Sequence, residues 1–245
     1  MFEKPGPQHI RHRRGTHRQL RSHQGAVAGQ DAGFFADLLL PFGGVERDAF
    51  PRRDTSLEKL ASLRPVYDPA GTITAGNASP VTDGAAAIWV GDAEGLRRTG
   101  APAAVKLVDW EIAAIDFRLD EGMLMAPGRA IPRLLARHGL AFADIALWEI
   151  HEAFAAQVLA NIKAASDPTY RRERAGVDAD LGAFPWERVN PNGGSLALGH
   201  PFAATGARIL SQAAKELTAQ PAGSRAIVSV CADGGQGTVA LLERV

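Results

Sequence analysis

The sequence has a single cysteine, Cys231, among its 245 residues. One thiol cannot form a disulfide within the chain, and it excludes a zinc site built from several cysteines. A chain without disulfides suits a reducing compartment, so we expect a cytoplasmic protein. No uninterrupted apolar run approaches the ~18 residues of a membrane helix, and the N-terminus shows no signal-peptide core.

The sequence also lacks a net charge: its 27 Lys and Arg residues balance its 27 Asp and Glu residues, so the formal net charge is zero. This balance argues against a general nucleic-acid or anionic-membrane binder. The chain has no Walker-type phosphate loop and no G-x-G-x-x-G motif after a strand, so no dinucleotide site is indicated. A basic cluster lies at residues 11–14. We interpret residues 1–16 as a disordered, solvated tail, with a nucleic-acid arm as the weaker alternative.

Helix and strand patterns alternate along the chain, which predicts an α/β layered fold with a mixed sheet. The length exceeds the usual domain size of about 100–150 residues, so one large domain or two smaller ones are open. The last two predicted strands, at residues 226–230 and 238–242, are joined by a short turn, so at least this strand pair is antiparallel. Helices are predicted at residues 17–40, 57–63, 93–98, 131–138 and 151–165, and strands at 85–90, 105–110, 145–150, 226–230 and 238–242.

The stretch at residues 190–208 is the most informative part of the sequence. Gly193 and Gly194 predict a turn, and a helical pattern follows His200. Proline is well tolerated at the first position of a helix, so we expect Pro201 to begin this helix. His200 then lies at a helix N-terminus, where anions and a neutral imidazole are favoured. A buried histidine in an ordinary strand–turn–helix connection is the simpler alternative.

His151, His200 and Cys231 each follow a predicted strand or a tight apolar turn. Ligands gather at the carboxyl ends of strands in layered α/β folds, so these three residues can converge in one site. A thiol beside a glycine-rich turn lies near backbone N–H groups that can hold an oxyanion, and an imidazole can shift it toward thiolate. The alternatives are a buried structural cysteine, and a zinc site, for which only Glu152 is a further candidate ligand.

Four motifs resemble those of the thiolase family and occur in the same order. They are Asn77-Ala-Ser79 with Asp83-Gly-Ala-Ala-Ala, His151-Glu-Ala-Phe-Ala-Ala-Gln157, Gly193-Gly-Ser-Leu-Ala-Leu-Gly-His-Pro201 and Cys231-Ala-Asp-Gly-Gly-Gln-Gly237. The resemblance covers the chain from about residue 21 to its end and is closest to acetyl-CoA acyltransferases, also called 3-ketoacyl-CoA thiolases. Many thiolases have asparagine at the position of His151. The histidine resembles the fatty-acid β-oxidation branch that occurs in trifunctional complexes.

The resemblance implies a layered α/β fold with a five-stranded mixed sheet. It implies a complete thiolase C-terminal domain at residues 101–245 and, at residues 17–100, a remnant of the loop domain and of the N-terminal domain. Residues 1–16 match nothing, and most of the N-terminal domain is expected to be missing. That loss would expose an apolar face and make the chain poorly soluble or dependent on a partner.

The implied reaction is thiolytic cleavage of a 3-ketoacyl-CoA by CoA, which yields acetyl-CoA and a shortened acyl-CoA. CoA and acyl-CoA are substrates, and no bound cofactor or metal is expected. Implied partners are a second copy of the chain or a β-oxidation subunit, with no nucleic acid and no membrane span.

The resemblance also assigns roles to five residues. Cys231 corresponds to the cysteine that acts as acid and base at the α-carbon of acetyl-CoA. His200 activates the nucleophilic cysteine and donates to one oxyanion hole, and His151 serves the other. Ser79 lines the tunnel for the pantetheine arm of CoA, with Phe154 nearby.

Two departures from the family pattern qualify these roles. The nucleophilic cysteine has no counterpart in this sequence, so an inactive fragment or one half of a split enzyme is the alternative function. Asp233 stands where a small residue is common, and a carboxylate there disfavours an oxyanion.

Overall fold

The computed structural model describes residues 7–101, 104–118 and 122–245, with side chains from residue 15 onward. The chain forms two compact units, each assembled from separated segments. Unit 1 comprises the residues up to Asp83 together with Glu152–Leu159 and Asn190–Pro201. Unit 2 comprises Gly84–His151, Ala160–Val189 and Phe202–Val245. The family domain boundaries expected from the sequence stay a prediction.

Four strands of the described ranges form a sheet, which lies in unit 2. They are β1 (Val105–Ala114), β2 (Leu147–Ile150), β3 (Arg225–Ala232) and β4 (Gln236–Arg244). Their order is β1-β4-β3-β2, with β4 antiparallel to both neighbours and β2 parallel to β3. The predicted α/β class with a mixed sheet is therefore confirmed.

The expectation of five strands is wrong by one among the described residues. The fifth position, beside β2, holds only an isolated parallel bridge between Trp148 and Val189. Asn190 follows with a φ of 47°, which lies outside the β region, and Pro191 lacks the N–H that a ladder needs. The chain therefore cannot extend this bridge into a strand.

Helices fill the rest of both units. The α-helices are α1 (Pro7–Asp31), α2 (Leu57–Ala61), α3 (Ala93–Thr99), α4 (Pro127–Arg137), α5 (Ala155–Ser166), α6 (Pro168–Tyr170), α7 (Ser195–Leu198) and α8 (Ala204–Thr218). Short 3-10 turns lie at Phe142–Asp144 and Trp186–Arg188, and a π-helical turn at Arg171–Ala175.

The core of unit 2 lies on both faces of the sheet. One face packs against Ile209, Ala213 and Leu217, which recur at helical spacing along α8. The alternate residues of the strands, such as Ile227 and Leu241, face the other way and are buried as well. Alternating apolar strands covered on both sides are what a layered fold requires.

Three local predictions differ from the structure. Residues 7–16 belong to helix α1, so the prediction of disorder is wrong for this part, while residues 1–6 lie outside the described residues. Helix α1 also ends at Asp31 instead of near residue 40, and Gly33, with a φ of 68°, turns the chain just beyond it. Helix α8 begins at Ala204, not at Pro201, because the φ of 40° at Phe202 interrupts the helical path.

The predicted buried strand at residues 85–90 is also wrong. These residues form no strand, and the side chains of Trp89 and Val90 are 95% and 84% exposed. A strand needs a neighbour for its backbone hydrogen bonds, and none of the four described strands pairs with this segment.

Candidate functional site

Cys231 and His151 lie in unit 2 at the ends of two neighbouring strands. Ile150 is paired with Ser229 where β2 runs parallel to β3, and the His151 N–H donates to the Ser229 carbonyl at 2.8 Å. Cys231 is two residues further along β3. Both side chains are buried. The structure therefore places these two predicted site residues at the carboxyl edge of one sheet.

Burial determines the protonation state of Cys231. Loss of water contact raises the pKa of its thiol to about 12, with a small opposing effect from a backbone hydrogen bond. The thiol is therefore protonated at neutral pH. This direction is opposite to the shift toward thiolate that an adjacent imidazole would produce.

A tight glycine turn follows Cys231. Gly234 and Gly235 both have φ of 78°, which glycine adopts without strain. The Gly235 carbonyl accepts a hydrogen bond from the Ile115 N–H at 2.9 Å, which ties the turn to the segment after β1. The Asp233 carboxylate accepts the Gly234 N–H at 2.6 Å. That N–H is therefore engaged by a side chain of the turn itself.

Ser79 and Phe154 are brought together in unit 1. Ala78 forms an antiparallel bridge with Phe154, and the Ser79 N–H donates to the Ala153 carbonyl at 3.0 Å. Asn77 shapes this loop, because its side-chain oxygen accepts the Thr74 N–H at 3.0 Å. The first two motifs of the sequence are thus joined backbone to backbone.

A buried ionic cluster around Glu152 fixes several elements of unit 1. The Glu152 carboxylate accepts hydrogen bonds from Arg18 Nε at 2.6 Å, from Ser22 Oγ at 2.7 Å and from the Leu196 N–H at 3.3 Å. Ser22 Oγ in turn accepts the Gly194 N–H at 2.9 Å. Glu152 is fully buried, and Arg18 nearly so. The cluster joins α1, the Glu152 loop and the glycine-rich loop before α7.

Glycine is required in that loop because α1 packs directly against it. Gly193 has a φ of 83°, and a Cβ there would lie 2.6 Å from the Ser22 carbonyl and 2.7 Å from Ala26. A Cβ at Gly194 would overlap the Glu152 carboxylate. The sequence predicted a turn at these glycines but not the helix that lies against them.

His200 lies in unit 1, after α7 and the turn at Gly199. Gly199 has a φ of 94°, and a Cβ there would lie 2.6 Å from Thr82. Because α8 begins at Ala204, His200 is not beside a helix N-terminus as expected. Its convergence with His151 and Cys231 stays a prediction.

Unit 1 contains a cavity of about 160 Å³. Buried residues form its floor, namely Gln19, His23, Leu60 and Leu196. Its rim includes Phe50, Arg52, Asp54, Lys59 and Pro80, the last of which follows Ser79. Sites that enclose a whole ligand usually measure about 300–1,000 Å³, so this cavity suits one arm of a larger ligand.

The two cationic side chains at the rim of the cavity, Lys59 and Arg52, differ in their ion pairing. Lys59 forms an ion pair with Asp54 at 2.6 Å. The Arg52 guanidinium forms no ion pair or side-chain hydrogen bond within the part of the chain that the structure describes. Arg52 therefore offers a cation that forms no ion pair among the described residues, and guanidinium suits phosphate. Its position was not predicted from the sequence, where it lies in a polar connection.

Neither a metal-binding cluster nor a helix able to span a membrane occurs in the described ranges. No group of three or more His, Cys, Asp or Glu residues is placed to hold a metal ion. No helix there has the length and apolar content to cross a bilayer.

Comparison with protein families identifies both parts of the chain. Residues 101–244 match the model of the thiolase C-terminal domain, and residues 16–94 match that of the thiolase N-terminal domain. A 3-ketoacyl-CoA thiolase of Erwinia tasmaniensis is 41% identical over 234 residues, which is 91% of this chain and 52% of that protein. A 3-ketoacyl-CoA thiolase of Yersinia pseudotuberculosis is 38% identical over 231 residues, with the same coverage of 91% and 52%. The chain thus spans about half the length of the curated relatives it matches.

Solved structures agree with these matches. The acetyl-CoA acetyltransferase of Bacillus anthracis superposes with a TM-score of 0.75 and 30% identity, covering 96% of this chain and 56% of the other. Human mitochondrial 3-ketoacyl-CoA thiolase gives a TM-score of 0.75 and 29% identity, with the same coverage of 96% and 56%. The dimeric peroxisomal thiolase of Saccharomyces cerevisiae gives 0.73 and 28%, covering 96% of this chain and 55% of the other.

Proposed function

Since the chain belongs to the thiolase family, we propose that it forms the CoA-binding, acid/base part of a 3-ketoacyl-CoA thiolase. The observation that carries this proposal is the position of Cys231 beside His151 at the carboxyl edge of the sheet. The proposed reaction is thiolysis in fatty-acid β-oxidation, and CoA and acyl-CoA are its substrates. The expected compartment remains the reducing cytoplasm inferred from the lone cysteine.

Cys231 would act at the carbon that becomes the methyl group of acetyl-CoA. A nucleophilic thiolate adds to the 3-keto carbon, the bond between C2 and C3 breaks, and its electron pair stays on C2. The Cys231 thiol then gives its proton to C2, which completes acetyl-CoA and leaves an acyl thioester for attack by a second CoA. Burial keeps this thiol protonated at neutral pH, and that supports the donating role.

Oxyanion stabilisation would come from the groups around the strand ends. His200 and His151 are the proposed donors for the two developing oxyanions, as the family resemblance implies. The glycine turn after Cys231 offers backbone N–H groups as well. Asp233 competes there, because its carboxylate already accepts the Gly234 N–H. We expect this turn to be a weaker oxyanion site than one with a small residue at position 233.

CoA would bind to unit 1. Ser79 and Phe154 are the proposed contacts of the pantetheine arm, and Pro80 continues their loop into the cavity. The apolar wall of the cavity suits the arm, and Arg52 at the rim suits a phosphate group. The volume of about 160 Å³ fits part of CoA, with the remainder in solvent.

A second candidate function follows from what this chain does not supply. The cycle needs a nucleophilic cysteine, and Cys231 is the only cysteine in the sequence. Trp89, Trp110 and Ile112 of unit 2 expose more than half of their surface. Exposed aromatic and β-branched side chains favour a protein partner. We therefore propose one half of a split enzyme as the alternative, with an inactive fragment or a dimer as further outcomes.

The test is a thiolysis assay with purified chain, a 3-ketoacyl-CoA, CoA and detection of acetyl-CoA. One arm adds a polypeptide that corresponds to the half of the Erwinia tasmaniensis relative outside the match. Activity only in that arm, abolished by Cys231→Ser, is the expected result for a split enzyme. Activity of the chain alone would instead mean that it needs no second cysteine. No activity in either arm, with both samples folded, would leave the inactive fragment.

A further inference from the structure

His23 is a buried imidazole in contact with the cavity of unit 1. It lies on α1, and only 4% of its surface is exposed. Its Nδ1 accepts a hydrogen bond from the Arg52 backbone N–H at 3.2 Å, and its Nε2 lies 3.0 Å from Gln19 Nε2. The ring therefore joins α1 to the rim segment at residues 50–55. That segment contributes Phe50, Arg52 and Thr55 to the cavity.

The Arg52 contact determines which nitrogen of His23 carries the proton. A backbone N–H can only donate, so Nδ1 must offer its lone pair, and the proton of the neutral ring lies on Nε2. Nε2 is then a donor and needs an acceptor. The nearest Gln19 atom is a nitrogen, while Gln19 Oε1 is buried without a hydrogen-bond partner among the described residues. Turning the Gln19 amide by 180° places its oxygen opposite Nε2–H, which gives Nε2 its acceptor.

The charges around His23 come from four elements, namely the rim segment, α2, the Glu152 loop and α1. Arg52 faces it from the rim segment, with Asp54 and Lys59 around the same cavity. Glu152 faces it from its own loop, where it is paired with Arg18 of α1. Burial is the largest influence and lowers the pKa of His23, the Arg52 charge lowers it further, and Glu152 opposes them. The neutral ring is therefore the resting form at neutral pH.

We propose that His23 is a positioning residue for the proposed CoA site: its neutral ring anchors the Arg52 backbone, and protonation releases that anchor. A doubly protonated imidazole has N–H groups on both nitrogens, so the Arg52 N–H would face another donor. The rim segment must then move away from α1 and carry Arg52 and Phe50 with it. Affinity for CoA therefore falls as the pH drops through the titration of His23. This inference depends on the proposed function only for the identity of the ligand.

The experiment is a calorimetric titration of the full chain with CoA between about pH 4 and pH 8, a window extended below the usual histidine range because the pKa of His23 is lowered. We expect the Kd of the wild type to rise about fivefold toward the acid end, the effect of losing one hydrogen bond. His23→Asn places an amide oxygen near the position of Nδ1 and cannot be protonated. This variant should bind CoA with nearly wild-type affinity at neutral pH and lose the extra acid dependence.

Two controls separate this effect from titration of CoA or of other groups. His17→Asn removes an exposed histidine from the same helix and should keep the wild-type pH profile. His23→Leu removes the acceptor and should weaken binding at every pH. An acid dependence of His23→Asn equal to that of the wild type would overturn the proposal.

A second measurement needs no CoA. Nitrogen-15 NMR of the imidazole should show His23 with its proton on Nε2 at neutral pH. The tautomer with the proton on Nδ1 would overturn the inference whatever CoA does. Absence of CoA binding at every pH, together with the expected tautomer and loss of protection of the Arg52 amide in acid, would refute the proposed function and leave the anchor standing.

Discussion

At the scale of single residues, burial dominates the behaviour of Cys231. The pKa of the thiol is raised from 9.0 to about 12 in the folded chain, mainly by loss of water contact. Between these values the folded state keeps a proton that the unfolded state has released. The free energy of unfolding therefore decreases as the pH rises through this window.

The first prediction follows from that linkage. Unfolding free energy should fall between about pH 9 and pH 12 with a slope of up to about 1.4 kcal/mol per pH unit from this group. Cys231→Ala should remove that slope, which denaturant titrations at several pH values can measure. Iodoacetamide should alkylate the native thiol far more slowly than a free thiol at pH 8. Fast alkylation of the folded chain would contradict the burial-raised pKa.

Glu152 carries the second prediction. Glu152→Ala removes the carboxylate from a buried ion pair with Arg18, which should cost about 3–5 kcal/mol of folding free energy. The matched control is Arg97→Ala, which breaks the solvent-exposed pair with Glu94 and should leave stability nearly unchanged. Chemical denaturation of both variants provides the comparison. Equal effects of the two substitutions would show that the Glu152 cluster is not a structural centre.

The sequence allowed us to predict which residues follow the ends of the strands. It did not allow us to predict which residues distant in sequence contact each other. The apolar strand patterns before His151 and Cys231 indicate where β2 and β3 end, and the parallel pairing brings those ends together. The Glu152 cluster joins residues 130 and 134 positions apart. No periodicity encodes such a separation, and Arg18 and Ser22 resemble the solvated face of a basic helix.

At the scale of elements, the contact between α1 and the glycine-rich loop depends on the absence of a side chain. Gly193 combines a positive φ with close neighbours on α1, whereas Gly43, with a φ of 58°, has open space around its Cβ position. Comparing the same substitution at these two glycines therefore separates the cost of backbone strain from the cost of steric overlap.

The third prediction uses this pair. Gly43→Ala should cost about 1–2 kcal/mol, the penalty of the left-handed conformation alone. Gly193→Ala should add about 1–3 kcal/mol for overlap with Ser22 and Ala26. Thermal unfolding at matched concentration can measure the difference. If both variants melt at the same temperature, the loop does not pack against α1 as described.

Element predictions failed where the decisive information lies outside the element. Residues 85–90 have the composition of a buried strand, yet a strand exists only with a neighbour, and the described chain offers none. Pro201 is a good first residue for a helix, but the positive φ at Phe202 delays α8 to Ala204. At both places the tertiary context, and not local propensity, determined the outcome.

At the scale of the whole molecule, the tryptophans differ in solvent exposure, so their fluorescence can distinguish the core from the surface. Trp148 is fully buried within the sheet, while Trp89 and Trp110 are 95% and 56% exposed. Trp110 and Ile112 lie on the same face of β1 and are both exposed, and adjoining exposed apolar side chains favour a contact with a partner.

The fourth prediction concerns these surfaces. Acrylamide should quench most of the accessible tryptophan fluorescence of the chain, and the double variant Trp89→Phe, Trp110→Phe should lose most of that quenching. Trp148→Phe is the control and should leave the quenchable part intact. Adding the complementary half of a relative should protect Trp89 and Trp110 if it covers them. Undiminished quenching in the double variant would mean that these side chains are not the exposed ones.

The discontinuity of unit 1 also has a consequence for synthesis on the ribosome. The hydrogen bond from the Gly194 N–H to Ser22 Oγ joins residues 172 positions apart. At about 5–20 residues per second, translation of that interval takes about 9–34 seconds. Collapse of an unfolded chain is complete within about 100 microseconds. Helix α1 therefore lacks its native partner for a time that is long enough for non-native contacts to form. We expect chaperones to occupy this helix during translation, and its release to follow the emergence of the glycine-rich loop.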